Sequence, residues 1–255
     1  MKKWIVLIAF TFSILAVYAQ RIKILTYNIH HGNPPEFPGK INLEEIAQVI
    51  LQSGADLVGL QEVDVYLSRS NNTDQAKRLA ELTGMYYFFS KGIDVEDGEY
   101  GTLILSKYEI IKARKYNLPM PIASENRTLA LVDVAFPGGQ IVTFANTHLD
   151  LKEENKIAQA DFIAEIGDWY QRPFILVGDF NAEPASKTVA MLEQCFQRNR
   201  ANNKFTFPNV NPNIEIDYIL IGKQTDFKWL DYKVIEAVNA SDHLPVFAEV
   251  EVVKR

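Results

Sequence analysis

Cysteine is nearly absent from this chain of 255 residues: Cys195 is the single one. One thiol excludes an internal disulfide framework and a structural zinc site built from several thiolates, so stability has to come from the size of the core. No stretch rich in proline, glycine or serine divides the sequence, and it contains no low-complexity tract or internal repeat. A single domain is the simpler reading, and 47% hydrophobic residues suffice for a sizeable core. Positive charge is in deficit as well, with 26 Lys and Arg against 32 Asp and Glu, a formal −6. A net acidic chain repels polyanions at long range, so avid sequence-independent nucleic-acid binding is disfavoured although nucleic acid stays open as a partner.

The first nineteen residues differ in character from the rest. Lys2-Lys3 precede an uncharged apolar stretch, Trp4 to Val17, and Val17-Tyr18-Ala19 then offers small or aliphatic residues where a signal peptidase would read. That is the three-part grammar of a secretory signal peptide, with an uncleaved N-terminal anchor as the alternative, and the stretch is short for a membrane span. The expectation is cleavage after Ala19, an exported periplasmic or extracellular protein over residues 20–255, and no stable membrane insertion. Losing Lys2 and Lys3 leaves 24 basic against 32 acidic residues, or −8. With no Cys after the apolar stretch, a lipoprotein anchor is not expected.

Runs of β-branched and aromatic residues predict strands near 22–28, 56–61, 85–90, 101–106, 128–136, 140–147, 173–178, 214–221 and 246–253. Helical periodicity is rarer. Asn42 with Glu45 three residues on is a capping box, and Gly54 ends that helix. A second helix starts at Thr73 or Asp74 and stops at Gly84, a third spans 152–170, and a fourth spans 184–196 with Pro184 in its first turn. Pro137-Gly138-Gly139 joins two strands as a hairpin, whereas other strands alternate with helices. An α/β arrangement of two packed sheets with helices outside satisfies this mixture.

Polar clusters recur where apolar runs end. Phe174-Ile175-Leu176-Val177 leads into Gly178-Asp179-Phe180-Asn181, and in an extended chain Asp179 and Asn181 share a face. Five further blocks repeat the arrangement: Tyr27-Asn28-Ile29-His30-His31-Gly32, Gln61-Glu62-Val63-Asp64, Asn146-Thr147-His148-Leu149-Asp150, the run holding Asp217, and Ser241-Asp242-His243-Leu244-Pro245. Glu62 follows mostly apolar residues, where a lone carboxylate is costly to bury. It reads as a ligand of a hard cation, Mg2+ or Mn2+, in preference to one half of a buried ion pair. Asp242 and His243 are adjacent and can serve one site only from a loop, which Ser241 and Pro245 favour. Arg127 reads equally as a phosphate contact or a partner of Glu125. Arg69 and Ser70 are candidate substrate contacts in a polar loop. His30 and His31 read as a solvated loop first, with a metal-edge or substrate contact as the open alternative, and Tyr86-Tyr87-Phe88-Phe89 reads as core.

In order, the blocks YNIHHG, LQEVD, NTHLD, GDFNAEP, IDYIL and SDHLPVF resemble the motifs of the endonuclease/exonuclease/phosphatase superfamily, the deoxyribonuclease I-like metal-dependent phosphodiesterases. The resemblance implies a four-layer α/β/β/α sandwich with the site at one edge. It also implies that Asn28 and Asp242 stand beside the cation at Glu62, that His148 and His243 face the phosphate, and that Asp217 pairs with His243. Asp179 would orient or deprotonate the attacking water and Asn181 would fix Asp179; whether Asp179 or the His243–Asp217 pair is the base stays open. The expected activity is hydrolysis of a small or lipid-headgroup phosphodiester by a monomer, with a secreted nuclease as the alternative. A binding module without turnover is disfavoured, since a scaffold has no physical need for all these groups.

Overall fold

The computed structural model describes residues 19–200, 205–236 and 239–253. The segment on which the export expectation rests, residues 1–18, lies outside them. Two mixed six-stranded sheets form the centre. The first contains β1 (Ala19–Asn28), β2 (Leu57–Val65), β3 (Tyr86–Val95), β4 (Gly98–Ser106), β11 (Phe227–Val234) and β12 (Val246–Val253), in the order β11-β12-β1-β2-β4-β3. The second contains β5 (Ile110–Asn117), β6 (Thr128–Ala135), β7 (Ile141–His148), β8 (Phe174–Asp179), β9 (Phe196–Arg198) and β10 (Asp217–Gly222), in the order β5-β6-β7-β8-β10-β9. Helices α1 (Leu43–Ser53) and α2 (Gln75–Thr83) pack together on the first sheet, and α3 (Glu153–Trp169) and α4 (Lys187–Cys195) pack together on the second. The four-layer sandwich expected from the sequence is the observed fold.

Each sheet has one parallel pair at its centre. β1 runs parallel to β2 with α1 between them in the chain, and β7 runs parallel to β8 with α3 between. Parallel neighbours need such crossovers, and their carboxyl ends necessarily fall on one edge. Asn28 is thereby set beside Gln61, and His148 beside Asp179. A core of aliphatic residues from both sheets fills the space between them, and a second cluster lies between the second sheet and α3 and α4.

That inter-sheet core is not wholly apolar near the functional edge. Asn146 donates to the carbonyls of Leu60 (2.9 Å) and Leu103 (3.0 Å) and accepts from Gln61 Nε2 (2.7 Å), which also donates to Thr26 Oγ1 (3.1 Å). These groups are fully buried, so each needs its partner, and the bonds fix one sheet's register against the other. The sheets come so close here that a Cβ on Gly59 would overlap Val177 and Asn146.

Helix ends follow the sequence signals. The Asn42 side chain accepts from Glu45 N, Asp74 accepts from Lys77 N, and Gly54 and Gly84 close their helices in left-handed conformation. Helix α4 begins at Lys187 with Ser186 as its cap, later than Pro184 suggested, because the Ser186 hydroxyl accepts from Val189 N. Strands β5, β9 and β11 were not predicted, and they are three of the four sheet edges. Edge strands carry charges on solvated positions, such as Lys112 and Lys115 in β5, which interrupts the apolar run. The fourth edge, β3, overturns the core reading of Tyr86 and Tyr87, which are exposed; only Phe88 and Phe89 pack against the core. Among the described residues no helix is long and apolar enough to cross a membrane.

Candidate active site

The carboxyl ends of β1, β2, β7 and β8, the start of β10 and the loop before β12 meet at one edge of the sandwich. Asp179 lies at its centre, 1% exposed. Its Oδ2 accepts from Asn28 Nδ2 (3.0 Å) and stands 3.5 Å from His148 Nε2 and 3.7 Å from His243 Nε2. Its Oδ1 accepts from the backbone N–H of Asn181 at 2.9 Å. Gly178 precedes it at φ 151°, and a Cβ there would run into the Thr147 carbonyl. Only glycine lets β8 deliver Asp179 this close to β7.

Asn28 links the two sheets' contributions. Its Nδ2 donates to Glu62 Oε1 at 3.0 Å as well as to Asp179, and its Oδ1 accepts from His30 N at 3.1 Å. Glu62 projects because β2 bulges between Leu60 and Val63, with Glu62 itself at φ 59°. A bulge re-aims a side chain that strand alternation would have sent elsewhere. Asn181 is also left-handed, φ 47°, so the chain has already turned there and strand alternation does not place it beside Asp179. The Asn181 amide donates instead to the Leu149 carbonyl (2.9 Å), and its backbone N–H holds the Asp179 carboxylate.

The two imidazoles are electrostatically opposite. His243 Nδ1 lies 2.9 Å from Asp217 Oδ2, its ring rests 4.7 Å from that of Phe207, and residues 241–245 form a loop. Burial works against charging this ring, but the Asp217 carboxylate outweighs it and raises the His243 pKa to about 10. His243 is therefore an imidazolium at neutral pH, with Nδ1–H donated to Asp217 and Nε2–H facing Asp179. His148 is driven the other way, well below the ordinary histidine value, by complete burial and by the Arg127 guanidinium. Arg127 Nη1 can only donate, at 3.0 Å to His148 Nδ1, so the neutral ring carries its proton on Nε2, and its 3.5 Å contact with Asp179 is not an ion pair. Burial, and then the nearby Asp217, raise Asp179 to about 7.

The other predicted residues sit further out. Asp242 is nearly one-third exposed and faces His30, with 3.9 Å from Oδ1 to His30 Nδ1. Arg127 pairs with Glu125 (3.0 Å) while holding His148. Arg69 forms a bidentate pair with the fully buried Asp64, at 2.8 and 2.7 Å, and stacks over Tyr100; the Ser70 hydroxyl is buried and donates to the Leu67 carbonyl. His30 and His31 are not a solvated loop: they border Glu62, and the His31 side chain is 13% exposed. Three groups went unnoticed in the sequence. Lys156 on α3 donates to the Asn181 carbonyl at 2.7 Å, Gln75 on α2 donates to the His31 carbonyl at 2.6 Å, and Phe207 covers His243. None lies in a strand-end block, so no local pattern marks it.

Comparison with known proteins agrees with this geometry. The family model described as Endonuclease/Exonuclease/phosphatase family matches residues 25–243. The chain is similar in fold to a solved endonuclease/exonuclease/phosphatase from Beutenbergia cavernae (22% identity, TM-score 0.75, covering 91% of this chain and 72% of that one). It is similar also to a mannosyl-6-phosphatase from Bacteroides thetaiotaomicron (22% identity, TM-score 0.73, 91% and 100%) and to the human Nocturnin catalytic domain (18% identity, TM-score 0.72, 93% and 96%). With the strand-end blocks gathered at one edge of that sandwich and the family model spanning nearly the whole described chain, this protein belongs to the endonuclease/exonuclease/phosphatase family and is one of its hydrolases of phosphate esters.

Proposed function

We propose that this protein is an exported, divalent-metal-dependent phosphodiesterase whose substrate is a small or lipid-headgroup diester. The observation that carries the hydrolytic part is the convergence on Asp179 Oδ2 of Asn28 Nδ2, His148 Nε2 and His243 Nε2, all within 3.7 Å. A carboxylate raised to about 7 matches the proton affinity wanted of a base near neutrality. Asp179 takes one proton from water as the water oxygen bonds to phosphorus; the ester P–O bond breaks, and the leaving oxygen is reprotonated from solvent. The Asp217-charged imidazolium of His243 and the Nε2–H of neutral His148 donate to phosphoryl oxygens as negative charge grows on them. His243 already carries its proton, which favours Asp179 over the His243–Asp217 pair as the base.

A divalent cation fits the same edge. Glu62 is a partly exposed carboxylate, and beside its Oε2, at 3.6 Å, the buried His31 Nδ1 has no hydrogen-bond partner. Glu62 would hold the ion directly, with Asn28 beside it orienting the Glu62 carboxylate. When bound, the ion would neutralise the phosphate and stabilise the leaving oxygen. Mg2+ and Mn2+ suit oxygen donors of this kind.

The acidic balance of the chain supports a small substrate over bulk DNA, and the Lys2-Lys3 and Trp4–Val17 pattern supports export. The test is hydrolysis of bis-p-nitrophenyl phosphate, p-nitrophenyl phosphate, a choline-headgroup diester and single- and double-stranded DNA, before and after chelation and with Mg2+ or Mn2+ restored. Diester turnover that chelation abolishes supports the reading. Turnover unaffected by excess chelator refutes the metal, and exclusive cleavage of the monoester or of DNA refutes the substrate class.

A further inference from the structure

The turn after β1 sets two histidines against Glu62, and the hydrolysis described above uses neither ring. His30 (φ 44°) and His31 (φ 54°) both have left-handed backbones, as does Glu62. Adjacent non-glycine residues keep that conformation only where surroundings over-determine it. They do so here: Gly32 N donates to the Ile29 carbonyl (2.7 Å), Asn42 N to the Gly32 carbonyl (2.8 Å), and Gln75 Nε2 to the His31 carbonyl (2.6 Å).

Each ring is held ready as a nitrogen donor. His30 Nδ1 lies 3.1 Å from the Asn33 carbonyl, which can only accept, so Nδ1 carries the proton and the Nε2 lone pair is free. Metal-binding histidines characteristically make this bond from their second nitrogen. His31 Nδ1 is buried, has no hydrogen-bond partner, and stands 3.6 Å from Glu62 Oε2 and 3.8 Å from Asp64 Oδ1. Asp64 is already committed to Arg69. One ligand atom from each of His30, His31 and Glu62 lies within 4.8 Å of the others. Atoms sharing one tetrahedral ion at ~2.1 Å stand roughly 3.4 Å apart, within reach of small rotamer adjustments.

We propose that His30, His31 and Glu62 form a mixed nitrogen–oxygen site that prefers a borderline transition-metal ion, Zn2+ above all, to Mg2+. The inference rests on the reading of Glu62 as a cation ligand and adds the two imidazoles, which suit zinc and disfavour magnesium. Three protein donors leave a further position open on a four-coordinate ion.

Chelated, full-length protein is titrated with Zn2+ by calorimetry in excess Mg2+, and the ring nitrogens of His30 and His31 are followed by 15N NMR. Expected are one equivalent of tightly bound Zn2+ and shifts of both rings. His30→Asn and His31→Asn retain a residue that tolerates left-handed backbone, and each should weaken Zn2+ binding ~10-fold or more while the melting temperature stays put. Ring nitrogens that do not move with Zn2+ in the wild type overturn the proposal without recourse to any variant. Equal Zn2+ affinity in wild type and both variants overturns it too. Neither readout involves turnover, so Mg2+-supported diester hydrolysis alongside silent rings would refute this site and leave the hydrolase reading standing.

Discussion

Asp217→Asn separates charge from shape at the site, since the two side chains are nearly isosteric. In the wild type Asp217 Oδ2 and His243 Nδ1 are 2.9 Å apart, and the carboxylate raises His243 from 6.5 to about 10 against the opposing effect of burial. Each pKa unit is worth ~1.4 kcal/mol, so the pair favours the imidazolium by an interaction on the order of a few kcal/mol. With an amide in place of the carboxylate the strongest attraction is gone while burial stays, and only the weaker pull of Asp179 and Asp242 opposes it, so His243 should titrate well below about 10. The ring, charged at pH 7 in the wild type, would then carry its charge less fully. Loss of that charge beside the phosphate should lower turnover by ~10²-fold at pH 7, with partial recovery as the pH falls. Stability carries the same signature. A raised histidine pKa contributes stability that is fully present below 6.5 and is lost as pH rises through about 10, so the wild-type melting temperature should decline across that window and the variant's should not. Asp179 does not confuse the comparison above pH 7, because its raised pKa makes stability fall only between 3.8 and about 7. The assays are a 15N titration of the His243 ring, pH–rate profiles and melting curves. An unchanged His243 titration in the variant would refute the electrostatic account of this pair.

Asp179→Ala should reduce diester turnover by ~10²-fold or more with little loss of thermal stability, because the substitution also removes a buried carboxylate; a variant that unfolds would mark Asp179 as structural. Asp217 and His243 form one unit, so losses of turnover in Asp217→Ala, His243→Ala and the double variant should be non-additive, and additive losses would dismiss the coupling. Asn146→Leu should cost ~2–5 kcal/mol in a denaturant melt, since it strands the Leu60 and Leu103 carbonyls between the sheets; a cost under ~1 kcal/mol would show that the polar bridge is not what registers them. N-terminal sequencing from the native host should find a start at Gln20, and a start at Met1 in a membrane fraction would overturn export.

What the sequence determined by itself was the material of the site and the order of its delivery. Apolar runs ending in polar clusters mark central strands because buried strands must be apolar and functional groups must sit where the chain leaves the core, and this pattern singles out Asn28, Glu62, His148, Asp179, Asp217 and His243. Capping signals at Asn42, Asp74, Gly54 and Gly84 were legible for the same local reason: each satisfies backbone groups within one turn. Three kinds of fact needed the tertiary structure. Edge strands β5, β9 and β11 each pair on one side only, with the next strand in the chain, and charged residues interrupt their apolar runs, so their place in the sheets is decided by the fold. The aim of Glu62 and Asn181 depends on left-handed residues and a bulge that only strand partners and buried hydrogen bonds enforce. The contrast between a charged His243 and a neutral His148 arises from Asp217 and Arg127, remote in the chain and adjacent in space. Electrostatic energy depends on distance through the folded protein, and sequence separation carries no measure of it.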